Sequence, residues 1–186
     1  MDKEIVNSVL KGNTEDFSLI IDKYQKMVYN LCYKVFNNSS DAEDFTQETF
    51  IKVYRNLHKC QEKSSMKNWI YTICYNTCID EVRKRKGKNN LSLDLDLELD
   101  DDSIKIEVPS NEKTPENIMI EKESLLEVEQ AVNSLSQTSR TLIYLRDIKG
   151  LSYSEISEIM NINLGTVKSS LNRTRKNLQK ILRGKK

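Results

Sequence analysis

Apolar side chains recur at three- and four-residue intervals along most of the chain, which is the helical period. The spacing predicts a first helical block from about Asp2 to Lys86. Asn13-Thr14-Glu15-Asp16 has the composition of a helix start, with acids in the first turn. After it Phe17, Ile20, Ile21, Tyr24, Val28, Leu31, Cys32 and Val35 fall on one stripe, and Asn37-Asn38-Ser39-Ser40 breaks the pattern. A second stripe holds Ala42, Phe45, Thr49, Phe50, Val53 and Leu57. A polar loop over Cys60–Ser65 leads to a helix from about Met66 to Lys86, which carries Trp69, Ile70, Ile73, Thr77 and Val82 and stops at a basic turn followed by Gly87.

The period is lost from Lys88 to Lys113. Leu91–Leu99 alternates leucine with serine or acid, formally a strand pattern, but a lone strand has nothing to pair with here. Asp100-Asp101-Asp102 adds self-repulsion, so this stretch is expected to be a flexible acidic linker. Thr114-Pro115-Glu116 restarts helix, with Pro suited to the first helical position. One helix is expected to reach about Leu135, a second to cover Ser139–Lys149, and Gly150 to end it. Ser152-Tyr153-Ser154-Glu155 is a capping box that opens a short helix. Beyond Asn161-Ile162-Asn163 a long helix spans about Gly165–Arg183. The expectation is an all-α chain of two small helical domains, residues 1–87 and 114–186, joined by residues 88–113.

Charge sharpens this division. Lys and Arg number 29 and Asp and Glu 28, so the chain as a whole is almost neutral. Residues 87–117 nevertheless hold 3 basic and 9 acidic side chains, and residues 161–186 hold 8 basic and no acidic ones. That local partition, hidden by the total, points to a nucleic-acid partner for the last helix. With 5 Gly and 2 Pro the chain has few breakers, and no apolar run approaches the ~18 residues of a membrane span. No basic-then-apolar leader pattern opens the sequence, so a cytoplasmic protein without direct membrane insertion is expected.

The four cysteines are Cys32, Cys60, Cys74 and Cys78. Cys74 and Cys78 share a helix face, but no CxxC pair supports a zinc site with Cys60 or the lone His58. The reading preferred from sequence is reduced thiols packed as small hydrophobes, with no metal and no cofactor. No glycine-rich phosphate loop, metal-spaced ligand set or nucleophile motif suggests an enzyme or a small-molecule substrate.

Ser152–Arg183 meets the requirements of a helix-turn-helix. Ser157 is small where the two helices must cross, and Asn161 tolerates a left-handed turn. Val167, Leu171, Thr174, Leu178 and Ile181 follow a buried stripe on the second helix. Thr166, Lys168, Ser169, Asn172, Arg173 and Lys176 remain for the major groove and its phosphates, with Lys168, Arg173, Arg175, Lys176 and Lys180 better suited to phosphate than to base edges. In the first block Trp69, Tyr71 and Tyr75 interleave with Lys67, Asn76, Arg83, Lys84 and Arg85. Aromatics beside cations suit single-stranded or flipped bases, although from that helix alone a core tryptophan with surface tyrosines is the preferred reading.

Three segments carry a family resemblance. Asp41-Ala42-Glu43-Asp44-Phe45-Thr46-Gln47-Glu48-Thr49-Phe50 resembles the polymerase-binding helix of sigma factors. Trp69-Ile70-Tyr71-Thr72-Ile73, with Asn76 and Ile79-Asp80-Glu81-Val82-Arg83-Lys84-Arg85, resembles their promoter-melting and minus-ten-reading helix. Gly150-Leu151-Ser152-Tyr153-Ser154-Glu155-Ile156, with Gly165-Thr166-Val167-Lys168-Ser169 and Leu171-Asn172-Arg173-Thr174-Arg175, is similar to their minus-thirty-five-reading helix-turn-helix. With no domain between the two ends, the chain resembles the extracytoplasmic-function (ECF) group of the sigma-70 family.

The resemblance implies core RNA polymerase and promoter DNA as partners. It places Asp41, Asp44, Gln47, Glu48 and Phe50 against the polymerase. It places Lys59, Lys63, Lys67, Trp69, Tyr71, Asn76, Asp80, Arg83, Lys84 and Arg85 at the minus-ten element, with the Cys60–Ser65 loop holding a flipped base. It places Thr166, Lys168, Ser169, Ser170, Asn172, Arg173 and Lys176 at the minus-thirty-five element. It implies that the acidic linker threads the polymerase toward the RNA exit path. It also implies an anti-sigma factor, in this group often membrane-anchored. The competing expectation is a stand-alone helix-turn-helix regulator, which accounts for Ser152–Arg183 but not for the helices of the first block.

Overall fold

The computed structural model describes residues 2–60, 65–88 and 127–183. The expected linker, the Thr114-Pro115-Glu116 helix start, Gln61–Ser64 of the loop and the candidate Lys63 lie outside the described residues. All regular elements among the described residues are helical. None is long and apolar enough to cross a membrane.

The first half contains α1 (Asp2–Leu10), α2 (Phe17–Phe36), α3 (Ser39–Arg55) and α4 (Met66–Lys88), with 3-10 turns at Thr14–Asp16 and Leu57–Lys59. Helix α1 is a separate element, set off by Gly12 at φ 109°. Asn37 ends α2 in the left-handed conformation at φ 54°, and Asn38 caps α3 by accepting from the Asp41 amide at 3.0 Å. Ser39 and Ser40, expected as breakers, are thus the first turn of α3, because the two asparagines complete the break between them. Helices α2, α3 and α4 pack on one another through Ile20, Val28, Leu31, Ala42, Val53 and Ile70, all essentially buried.

The second half contains α5 (residues 127–133), α6 (Gln137–Ile143), α7 (Tyr153–Met160) and α8 (Leu164–Arg183). The helix expected over Ser139–Lys149 starts earlier, capped by Ser136, and widens into a π turn over Tyr144–Ile148 before Gly150 at φ 69°. The wide turn closes with the Lys149 amide donating to the Tyr144 carbonyl at 3.0 Å.

The halves share one apolar core: α4 packs on α7 and α2 on α6. Arg140 of α6 anchors the seam, donating through Nε to the Lys34 carbonyl (3.1 Å) and through Nη2 to that of Val35 (3.3 Å), the orphan carbonyls at the end of α2. Its Nη1 donates to the carbonyls of Asn133 and Leu135. Tyr71 and Tyr144 lie inside the seam with their buried hydroxyls near each other.

Candidate nucleic-acid and polymerase surfaces

The helix-turn-helix is built as its residues dictate. The Ser152 hydroxyl accepts from the Glu155 amide at 3.2 Å, and a Glu155 carboxylate oxygen accepts from the Ser152 amide at 2.8 Å. Asn161 turns the chain at φ 51° and ψ 49°, and the Ser157 hydroxyl donates to the Ile162 carbonyl across the turn at 2.5 Å. Two orphan amides at the start of α7 are therefore satisfied, and the angle between α7 and α8 is pinned from inside.

On α8, Val167, Leu171 and Thr174 are buried as the stripe requires, while Leu178 and Ile181 are half-buried. Lys168, Ser169 and Asn172 are exposed, and Thr166, Arg173 and Lys176 are half-exposed on the same outward face. Ser170 differs: it is 9% exposed and shares the inward stripe, so its side chain is not offered to a groove. The periodicity shows why, since position 170 lies three residues after Val167 and four before Thr174. Arg175 leans away to Asp147, donating through Nε at 3.3 Å and pairing through Nη2.

On α3, Asp44 and Gln47 are exposed and Asp41 and Glu48 are half-buried. Phe50 is 6% exposed, because its position on the apolar stripe turns it toward α2. There it helps line a groove with Phe17, Ile21, Gln47, Ile51 and Tyr54. Glu48 pairs with Lys52 at 3.8 Å. Asp44, Glu48, Asp80 and Glu81, together with Lys52 and Lys84, line a second, charged cleft between α3 and α4.

Helix α4 divides its candidates. Asn76, Asp80, Arg83 and Lys84 are exposed, with Lys59 exposed on the preceding 3-10 turn and Lys67 and Trp69 half-buried. Asp80 and Arg83 pair at 3.7 Å. Tyr71 is fully buried and Tyr75 is 7% exposed. Tyr71 therefore packs in the seam and does not present its ring for stacking in this arrangement; burial pushes its hydroxyl up to about 12. Arg85 is engaged within the protein, bound to Asp41 and to Glu81 and lying over the rings of Phe36 and Phe45.

Two groups fell outside the sequence reading. Asn68 Nδ2 donates to Glu155 Oε1 at 2.7 Å, joining α4 to α7 across the seam. Cys32 meets Cys74 and Cys78 in the part of the core between α2 and α4, whereas Cys60 stands apart, half-buried. The Cys74 and Cys78 spacing was a visible signal, but their third neighbour comes from a helix some forty residues earlier and needs the packing of α2 on α4.

The comparisons agree with this layout. Residues 20–88 match the model of sigma-70 region 2 and residues 125–178 that of sigma-70 region 4. The ECF RNA polymerase sigma factor SigW of Bacillus subtilis (strain 168) is 33% identical over 183 residues, 98% of this chain and 97% of its own. The ECF RNA polymerase sigma-E factor of Escherichia coli (strain K12) is 33% identical over 178 residues, covering 94% and 90%. Among solved structures, the sigma factor RpoE of Bartonella quintana, in complex with the anti-sigma factor NepR, superposes with a TM-score of 0.65 at 25% identity, covering 91% of this chain and 98% of that one. CnrH, in complex with the cytosolic domain of CnrY, shares the fold, with a TM-score of 0.66 at 17% identity over 100% and 99% of the two chains. With both terminal regions matched in order and relatives aligned end to end, the chain belongs to the ECF sigma factors of the sigma-70 family.

Proposed function

We propose that this chain binds core RNA polymerase and directs promoter-specific initiation, acting in the cytoplasm as a recognition subunit and not as an enzyme. The observation that carries the proposal is the pairing of two surfaces in one chain. Helix α8 offers an outward face of Lys168, Ser169 and Asn172 on a well-capped helix-turn-helix, and α3 offers the exposed polar edge of Asp44 and Gln47 with the apolar groove beside it.

On this reading residues 1–87 engage polymerase and the minus-ten element, and residues 114–186 read the minus-thirty-five element. Asn172, Ser169 and Thr166 face base edges, while Lys168, Arg173 and Lys176 neutralise phosphates. Asn76, Arg83 and Lys84 meet the opened strand. An anti-sigma protein is the expected inhibitor, since RpoE of Bartonella quintana is held in such a complex.

Run-off transcription with purified core polymerase on a promoter library tests the proposal. Initiation that depends on this chain is the expected result, and the selected promoters report both elements. Duplex DNA binding with neither core binding nor initiation would replace it with a stand-alone regulator.

A further inference from the structure

Three thiols converge in the core of the first half. Cys32 of α2 and Cys74 and Cys78 of α4 are each fully buried. The Cys32 and Cys74 sulfurs are 3.5 Å apart, Cys78 and Cys32 are 3.6 Å apart, and all three sulfurs lie within 4.8 Å of one another. Among the described residues no histidine or carboxylate joins the group. We propose that Cys32, Cys74 and Cys78 form a three-thiolate site for one soft, thiophilic metal ion, of the zinc(II) or copper(I) class.

The distances suit such an ion. At a metal–sulfur length of about 2.3 Å, a tetrahedral arrangement sets neighbouring sulfurs about 3.8 Å apart. The Cys32–Cys74 and Cys32–Cys78 pairs need to open by only a few tenths of an ångström. The chemistry suits it too, because thiolate donors select zinc and copper(I) among the biological metals. Cys74 and Cys78, one helical turn apart, direct their sulfurs to a single partner on the facing helix. Cysteines that merely fill space as small hydrophobes need no common focus.

A disulfide accounts for the trio less well. It would need two sulfurs at about 2.05 Å and would strand the third. Full burial also denies an oxidant the exposed thiolate that it attacks. Binding involves no electron transfer: the ion replaces the three thiol protons, three protons leave to solvent, and three metal–sulfur bonds form. The complex retains a net negative charge, and Lys52 of α3 lies within electrostatic reach of Cys78.

The ion would tie α2 to α4 beneath α3. The test uses the full chain, stripped with chelator and reductant, then given one equivalent of zinc(II) or, in a separate arm, copper(I) under reductant, and desalted. Elemental analysis is expected to return one ion per chain in at least one arm, and competition with a chelator of known affinity ranks the two ions. A sulfur-to-metal charge-transfer band should appear. Pulsed alkylation read by mass spectrometry should show Cys32, Cys74 and Cys78 slowed at least tenfold relative to the metal-free chain, with Cys60 unchanged. C32A, C74A and C78A should each lose at least tenfold in affinity, and C60A should lose none. The alkylation pattern comes from the unsubstituted chain and stands even if a core variant fails to fold. Loss of both ions on desalting, ion binding without protection of the three thiols, or a disulfide among them in the isolated protein would overturn the proposal.

Discussion

Arg85 grips Asp41 with both terminal nitrogens, at 2.9 and 2.8 Å from the two carboxylate oxygens, and so bolts the end of α4 to the start of α3. The resemblance assigned these residues to different partners, Arg85 to DNA and Asp41 to polymerase. In the folded chain they are each other's partner first. The pair is bidentate but partly exposed, so D41N is expected to cost about 0.2–1 kcal/mol. The hydrogen-bonded Arg85 holds the Asp41 carboxyl below its ordinary range. A lowered folded-state value means stability present above the unfolded value of about 3.9 and lost as the pH falls through the folded one. Thermal melts of wild type and D41N should therefore differ at neutral pH, draw together as the pH falls below about 4, and converge once it is below the folded value. An equal gap at both pH values would refute the assignment.

Arg140 is the most connected side chain of the seam. R140A strips four carbonyls of their donor, two of them at the end of α2. Water can reach those carbonyls once the halves part, so the halves should separate while each keeps its helices. Small-angle scattering is expected to show a larger radius of gyration with helical circular dichroism unchanged. An unchanged radius would show that apolar contact alone holds the seam.

On α8, K168A and N172A should fail differently. Losing Lys168 removes one phosphate contact, so binding weakens at every sequence and the slope of log K against log salt falls by about 0.9. Losing Asn172 removes a base-edge contact, relaxing preference at one position by about 1–3 kcal/mol with the salt slope intact. Binding titrations of the polymerase complex over a salt series, on matched and mismatched minus-thirty-five sequences, separate the two.

The turn between α7 and α8 permits a stabilising change. Asn161 is left-handed at φ 51°, which glycine adopts freely and alanine does not. N161A should lower Tm and N161G should hold or raise it. S152A, which removes the capping hydroxyl, should cost about 1 kcal/mol. Equal melting of N161A and N161G would mean that the turn relaxes.

The elements of this fold were legible where punctuation and period agreed. Asn37, Gly150, Ser152 and Asn161 each sit at the boundary that their chemistry suggests, because caps and left-handed turns are decided by a few neighbouring residues. Helix α1 was not separated from its block, since its nine residues carry too short a stripe to show a period. The outward face of α8 followed from spacing, but Ser170 did not, because a small polar residue sits in a buried stripe as readily as outside it. Tyr71, Cys32 and Arg140 were opaque for a common reason. Their surroundings come from helices distant in sequence, and only the docking of the halves and the packing of α2 on α4 define them.

The two tyrosines in the seam carry a consequence for how the molecule opens. Tyr71 and Tyr144 bring their two phenol hydroxyls together in a dry place, where burial raises both of them and keeps both protonated. Water can reach both hydroxyls once the halves part. Opening thus wets two hydroxyls that closing had dried, and the joint between those rings behaves as a press-stud and not as a weld, held by contact and by no covalent or ionic lock of their own.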